Sequence, residues 1–94
     1  MDKTYCVTKY LAHRKNGIYD SEESAYESFT DEDFAVDLFN RWVKMVEPLA
    51  EEEDWKCSVQ LFHPVMLNGR IIVAPESGKF IREYRFNNYR KQDR

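Results

Sequence analysis

Cys6, His13, Cys57 and His63 are the residues of this chain with the side chains to ligate zinc, and they fall into two similar pairs, Cys6 with His13 and Cys57 with His63. The spacing argues against a metal. Residues six or seven apart on extended strands lie about 20 Å apart at ~3.3 Å per residue, whereas zinc ligands converge within ~2.3 Å of one ion. The short chelating spacings of structural zinc sites are missing too, so a site would have to be assembled across strands from one member of each pair. No metal or cofactor is expected. With no secretion signal in the sequence, both cysteines read as buried free thiols rather than as a disulfide. His13, in a basic turn, and His63, beside Pro64, would suit a small metal-independent, ribonuclease-like site if they met, with Arg14 or Lys15 stabilising an oxyanion. No local spacing brings them together. Asp31, Asp33 and Asp37 have the chemistry for Mg²⁺, with Asp33 and Asp37 one helical turn apart, but capping and a solvated helix face account for them more simply. Gly17, Gly69 and Gly78 are scattered as turn residues, so there is no phosphate-cradling loop.

Charge carries more information than these motifs. The net charge of −3 hides a division along the chain: residues 20–54 hold 13 acidic residues against Arg41 and Lys44, and the remainder holds 12 basic residues against four acidic ones. At the C-terminus Lys79, Arg82, Arg85, Arg90, Lys91 and Arg94 interleave with Phe80, Tyr84, Phe86 and Tyr89. That mixture lets a sheet pair phosphates with cations and stack bases on aromatic rings. Lys79, Arg82, Tyr84, Arg85, Phe86 and Arg90 are therefore the candidate residues of a nucleic-acid-binding module. A net acidic chain suits a polyanion only if its basic face is segregated.

The acidic third supports the opposite expectation. Glu22, Glu23, Glu27, Asp31, Glu32, Asp33, Asp37, Glu51, Glu52, Glu53 and Asp54 would form a negative surface that docks on a basic site of a protein partner and competes with nucleic acid for it. In size and charge layout the chain resembles the small phage-encoded inhibitors of restriction or CRISPR nucleases, some of which imitate the charge of DNA. That resemblance implies a non-enzymatic, stoichiometric inhibitor or modulator acting through its acidic segment.

The element that must position this charge is a helix over Thr30–Pro48. Phe34, Ala35, Leu38, Phe39, Trp42, Met45, Val46 and Leu49 recur at the spacing of one helical face, with Thr30 and Asp33 placed to cap the first turn. Val36 and Val43 widen the apolar arc to about 200°, beyond the ~100° stripe that one packing surface needs. Val36, Phe39 and Val43 are accordingly the candidate contact for a second copy or a partner. Pro48 either kinks the helix or starts a short new one that continues through the acidic run at 51–54.

Around the helix the sequence alternates. Thr4–Ala12 reads as a strand whose Tyr5, Val7 and Leu11 share a face interrupted by Lys9, followed by a turn through Asn16-Gly17 and a return at Ile18 and Tyr19. Asp20–Phe29 reads as a loop with a short helix or turn, its alternative being an acidic edge strand. Trp55–His63 is the cleanest strand, with Trp55, Cys57, Val59 and Leu61 on one side, and Pro64 disturbs its ladder. Val65–Leu67, Asn68-Gly69 and Arg70–Val73 form a hairpin, and Lys79–Phe86 is preferred as a strand although it also fits a helical face. Residues 87–94 are expected to fray. Residues 1–94 thus form one α+β domain, a small mainly antiparallel sheet in the order ββ-α-βββ with one long amphipathic helix packed on one face. A composition of 43% hydrophobic and 33% charged residues excludes a disordered chain. The N-terminus lacks the apolar core of a signal peptide and no apolar run approaches membrane length, so a cytoplasmic protein is expected.

Overall fold

A computed structural model describes residues 3–90, where the periodicities above become six strands and one long helix. Strands β1 (Tyr5–Lys15) and β2 (Ile18–Phe29) are joined through Asn16 and Gly17, both at positive φ (56° and 79°), the left-handed backbone that a two-residue hairpin turn needs. Helix α1 (Glu32–Val46) follows, then a 3-10 turn at Glu47–Glu51. Strands β3 (Trp55–Phe62), β4 (Pro64–Leu67), β5 (Arg70–Pro75) and β6 (Arg82–Asn87) complete the chain, with Asn68-Gly69 turning β4 into β5 as expected.

The fold is α+β. Four strands form an antiparallel sheet in the order β2-β1-β3-β6, while β4 and β5 pair only with each other. The register explains the core. Val7 lies opposite Leu61, Lys9 opposite Val59 and Leu11 opposite Cys57, with Tyr84 beside Val59 and Phe86 beside Cys57 on the far side of β3. These side chains share one face, and Ala35, Leu38, Phe39 and Val46 of α1 close over it. Each fully buried Val or Leu contributes about 1.5–3 kcal/mol. Lys9 interrupts that face without stranding a charge. Its stem is buried, its Nζ reaches the Glu23 carboxylate at 2.9 Å, and it lies 5.4 Å from the centre of the Trp42 ring.

Several expectations need correcting. Asp20–Phe29 is neither loop nor short helix but the alternative, an acidic edge strand: it is most of β2, paired residue by residue with β1 from Ser21 opposite His13 to Phe29 opposite Tyr5. Ala25 and Phe29, four apart, share a face in a strand as well as in a helix, and an isolated ten-residue helix is marginal where a strand ladder is on offer. The helix is capped by Asp31 and not Thr30, its Oδ1 accepting from the backbone N–H groups of Asp33 (2.8 Å) and Phe34 (3.4 Å). Pro48 starts a new turn, as one alternative had it, but that turn stops at Glu51 and leaves Glu52–Asp54 outside any helix. Within the expected helical stripe, Phe34 and Met45 are exposed. At about 100° per residue they point near one another on one flank of the arc centred on Ala35, Leu38, Phe39, Trp42 and Val46.

After the helix there are four strands instead of three. Proline has no N–H to continue the ladder, so β3 stops at Phe62 and β4 begins a separate hairpin at Pro64. Lys79–Ile81 precede β6, with Phe80 packed edge-on against Phe62 and the Ile81 N–H donating to the Leu61 carbonyl at 2.8 Å. Asn87–Arg90 do not fray. The Asn88 amide donates to the carbonyls of Ala50 (2.7 Å) and Glu52 (3.1 Å), and Arg90 grips Asp54. Residues 91–94 of that expectation lie outside the described residues, as do Lys91 and Arg94 of the basic segment.

Candidate interaction surface

The strand order answers whether the division of charge survives folding. Acidic β2 forms one edge of the sheet and β6, with Arg82 and Arg85, forms the other, three strand spacings or about 14 Å away. The separation of these two strands follows from topology, because the helix connects the two strands that flank β1 and β6 is the last to add, although Lys9 of β1 and Arg90 each meet acidic residues.

On the acidic edge every residue of β2 is exposed except Ala25 and Phe29, which are half-buried. Glu23 and Glu27 stand on the helix side of the sheet, since they lie opposite Leu11 and Val7, and Glu22 stands on the other side opposite Ala12. Glu22 accepts from the Tyr10 hydroxyl at 3.1 Å. Chain direction then carries the acidity into α1. Asp31 caps it, Glu32 accepts from the Tyr5 hydroxyl at 2.9 Å, and that bond, ahead of burial, pushes the Tyr5 pKa up. Asp33 adds charge at the positive end of the helix dipole. Asp37 points outward with Arg41 beside it at 3.1 Å, an exposed pair one turn apart.

The second acidic cluster is different in kind. Asp54 sits at positive φ (70°), a conformation that aspartate tolerates better than most residues. Its carbonyl accepts from the Arg14 N–H at 2.9 Å, its N–H donates to the Asn88 carbonyl at 2.8 Å, and its carboxylate takes Arg90 Nε (3.0 Å) and a second guanidinium nitrogen (2.7 Å). These Arg90 bonds hold the Asp54 carboxyl below the ordinary 3.8. Glu53 lies 3.5 Å from the same guanidinium. Arg90 thus forms a latch, paired closely with Asp54 and more loosely with the exposed Glu53, one positive charge against two carboxylates, while Glu51 and Glu52 of that run lack an ion pair among the described residues. The latch had no local sequence signal.

The basic edge is also partly spent. Tyr84 and Phe86 face α1 with Arg82, as the alternation required, but both rings are half-buried against the core and tilt edge-on to each other at 6.1 Å. Tyr84 floors an open groove between α1 and β6, walled by Phe39, Val43, Lys44 and Arg82. Arg85 lies on the opposite face of the sheet near Lys56. Tyr89 stacks on the chain's own Arg14, whose guanidinium carbon is 4.3 Å from its ring centre and 5.5 Å from that of Tyr19. Of the expected helix contact, Phe39 is buried in the core and Val36 and Val43 are packed at its rim, so the uncovered apolar flank is Phe34 and Met45.

The groups with reactive chemistry stay apart. His13 lies at one end of β1, stacked on Trp55 and 3.2 Å from Asp20, while His63 is at the other, its Nδ1 3.0 Å from the Thr4 carbonyl. Cys6 and Cys57 are free thiols on opposite faces of the sheet, since Cys57 lies opposite Leu11 and Cys6 opposite Phe62. Burial pushes the Cys57 thiol up to about 11 and raises that of Cys6 too. Among the described residues no cluster of three or more potential ligands could hold a metal, and no helix is long and apolar enough to cross a membrane.

By fold the chain falls in the broad class of small α+β domains, with an acidic strand at one edge of its sheet and an arginine-bearing strand at the other. No family model matches it, and neither a curated protein nor a solved structure does.

Proposed function

We propose that this protein is a non-enzymatic binding protein that docks the acidic edge formed by β2 and the start of α1 on a basic site of a partner protein, as a stoichiometric inhibitor or modulator. The observation that carries this reading is the placement of β2: an outermost strand bearing Asp20, Glu22, Glu23 and Glu27, with no basic residue. Apart from Glu23, which pairs with the buried Lys9, these carboxylates have no partner in the core. Arrayed on one edge they steer a cationic surface into contact and discriminate against anionic ones. A basic surface that ordinarily binds nucleic acid fits this chemistry, and occupying it would inhibit by competition. Only the β2 and α1 carboxylates belong to the proposed surface; Asp54 is left out because Arg90 engages it, and Glu53 because it shares that same guanidinium.

The test is capture by the immobilised chain, with bound proteins identified by mass spectrometry, beside a variant carrying Glu22→Gln, Glu23→Gln and Glu27→Gln. Basic proteins retained by the wild type and lost with the variant are the expected result. Direct, salt-sensitive binding of single- or double-stranded nucleic acid, abolished by changing Arg82 and Arg85, would assign function to the opposite edge instead.

A further inference from the structure

We propose that the β2 edge takes up its partner as an added β-strand: an extended segment with Lys or Arg at alternate positions and β-branched or aromatic residues between them. This rests on the docking reading above and specifies the form of the ligand. The first ground is the backbone. From Ser21 to Phe29 the register with β1 is unbroken, a run of about 30 Å at ~3.3 Å per residue. In an antiparallel ladder alternate residues turn both N–H and C=O toward the neighbouring strand, so the others in this run turn theirs outward. Among the described residues no strand lies beyond β2, and α1 packs mainly over β1 and β3, touching β2 less.

The second ground is how this edge is guarded. Proteins blunt exposed edges with short strands, proline, lysine or a bulge. Strand β2 has 12 residues with neither proline nor lysine, and its bulge sits at one end, where Asp20 is skipped between Tyr19 opposite Arg14 and Ser21 opposite His13. What remains along Ser21–Phe29 is negative charge. That repels the same edge of a second copy, which would set Glu22, Glu23 and Glu27 against one another, and it attracts a cationic strand.

Side-chain parity then specifies the incoming sequence. Residues of an added strand on the helix side would neighbour Glu23, Ala25 and Glu27, and those on the other side Glu22, Ser24, Tyr26 and Ser28. Glu27 has no ion pair among the described residues, and Glu23 is more than half exposed beyond its contact with Lys9. Cations therefore belong on the helix side and apolar residues beside the exposed Tyr26 ring. Recognition divides as in other strand additions, with affinity from main-chain bonds and specificity from alternate side chains.

The experiment compares two labelled nine-residue peptides alternating lysine and valine, one unmodified and one N-methylated on every backbone amide, by fluorescence anisotropy with the wild-type chain at low salt. Both carry the same charge, but the second cannot donate main-chain hydrogen bonds. At least tenfold weaker binding of the methylated peptide is expected. Equal binding would overturn strand addition while leaving charge-driven docking in place, and failure of the unmodified peptide to bind would overturn it as well. The capture experiment tests docking independently of either result. In a second arm, the Glu27→Lys variant, which leaves the Lys9–Glu23 pair intact, should bind the lysine–valine peptide at least tenfold more weakly than wild type; unchanged binding would contradict the assigned parity.

Discussion

The two edges of the sheet differ in what their side chains do for the fold. On β6, Tyr84 and Phe86 pack into the core, and the chain just beyond is held by Asn88 and Arg90. On β2, only Phe29 joins the core and Glu23 serves the fold by pairing with Lys9, while Glu22, Glu27, Tyr26 and the serines face solvent. Both edges carry charge, yet fewer side chains of the acidic one serve the fold. Conspicuous composition is therefore a poor guide to a binding surface until the side chains that hold the fold have been subtracted. The basic-aromatic segment loses most of its rings and one arginine in that subtraction, and the acidic strand loses little.

The largest expected difference is in stability. Phe86→Ala should cost about 2 kcal/mol, below the full core value because the ring is half-buried, whereas Tyr26→Ala on β2 should change stability by no more than about 0.5 kcal/mol. Urea unfolding of the two variants measures this, and comparable losses would break the contrast between the edges. A smaller effect concerns the latch. Arg90 holds the folded Asp54 carboxyl below 3.8, so its contribution is complete above pH 3.8 and is lost as pH falls through the lower folded value. The stability gap between wild type and Arg90→Ala should accordingly narrow below pH 3.8; a gap that stays constant into acid would mean the pair does not anchor the chain beyond β6. The smallest effect belongs to the acidic edge itself. Glu27→Gln should leave stability within about 0.5 kcal/mol of wild type, and a larger loss in thermal unfolding would give this carboxylate a structural role.

What could be read from sequence follows the same division. Helix α1 and strand β3 were legible because burial imposes a period on their side chains, and both hairpins because Asn-Gly pairs supply the positive φ their turns require. Strand β2 is legible only at its start and otherwise as an alternative, since an edge strand exposed on both sides has no apolar alternation and its acidic residues fit a capped helix just as well. The cap moved from Thr30 to Asp31 because both residues can fill that role and only the start of the helix decides between them. The latch was invisible for another reason: Asp54 and Arg90 are 36 residues apart, and no local pattern marks such a contact. Phe39 belongs in sequence both to the core-facing stripe and to the candidate contact, because the width of an apolar arc does not say where its centre lies; the sheet sets that centre at Ala35, Leu38 and Phe39. At the candidate surface the acidic residues are legible from composition, and their arrangement as an edge strand only as the second of two readings of Asp20–Phe29.

Residue-resolved amide exchange on the free chain tests most directly whether the acidic edge is an open strand. Protection should alternate along Ser21–Phe29, with residues bonded to β1 exchanging slowly and the outward-facing ones exchanging fast, while β3, flanked by β1 and β6, is protected along its length. Uniformly fast exchange across Ser21–Phe29 would mean that no strand forms there, and uniform protection that another segment or a second copy already covers the edge; either would contradict an acidic edge held open for a partner.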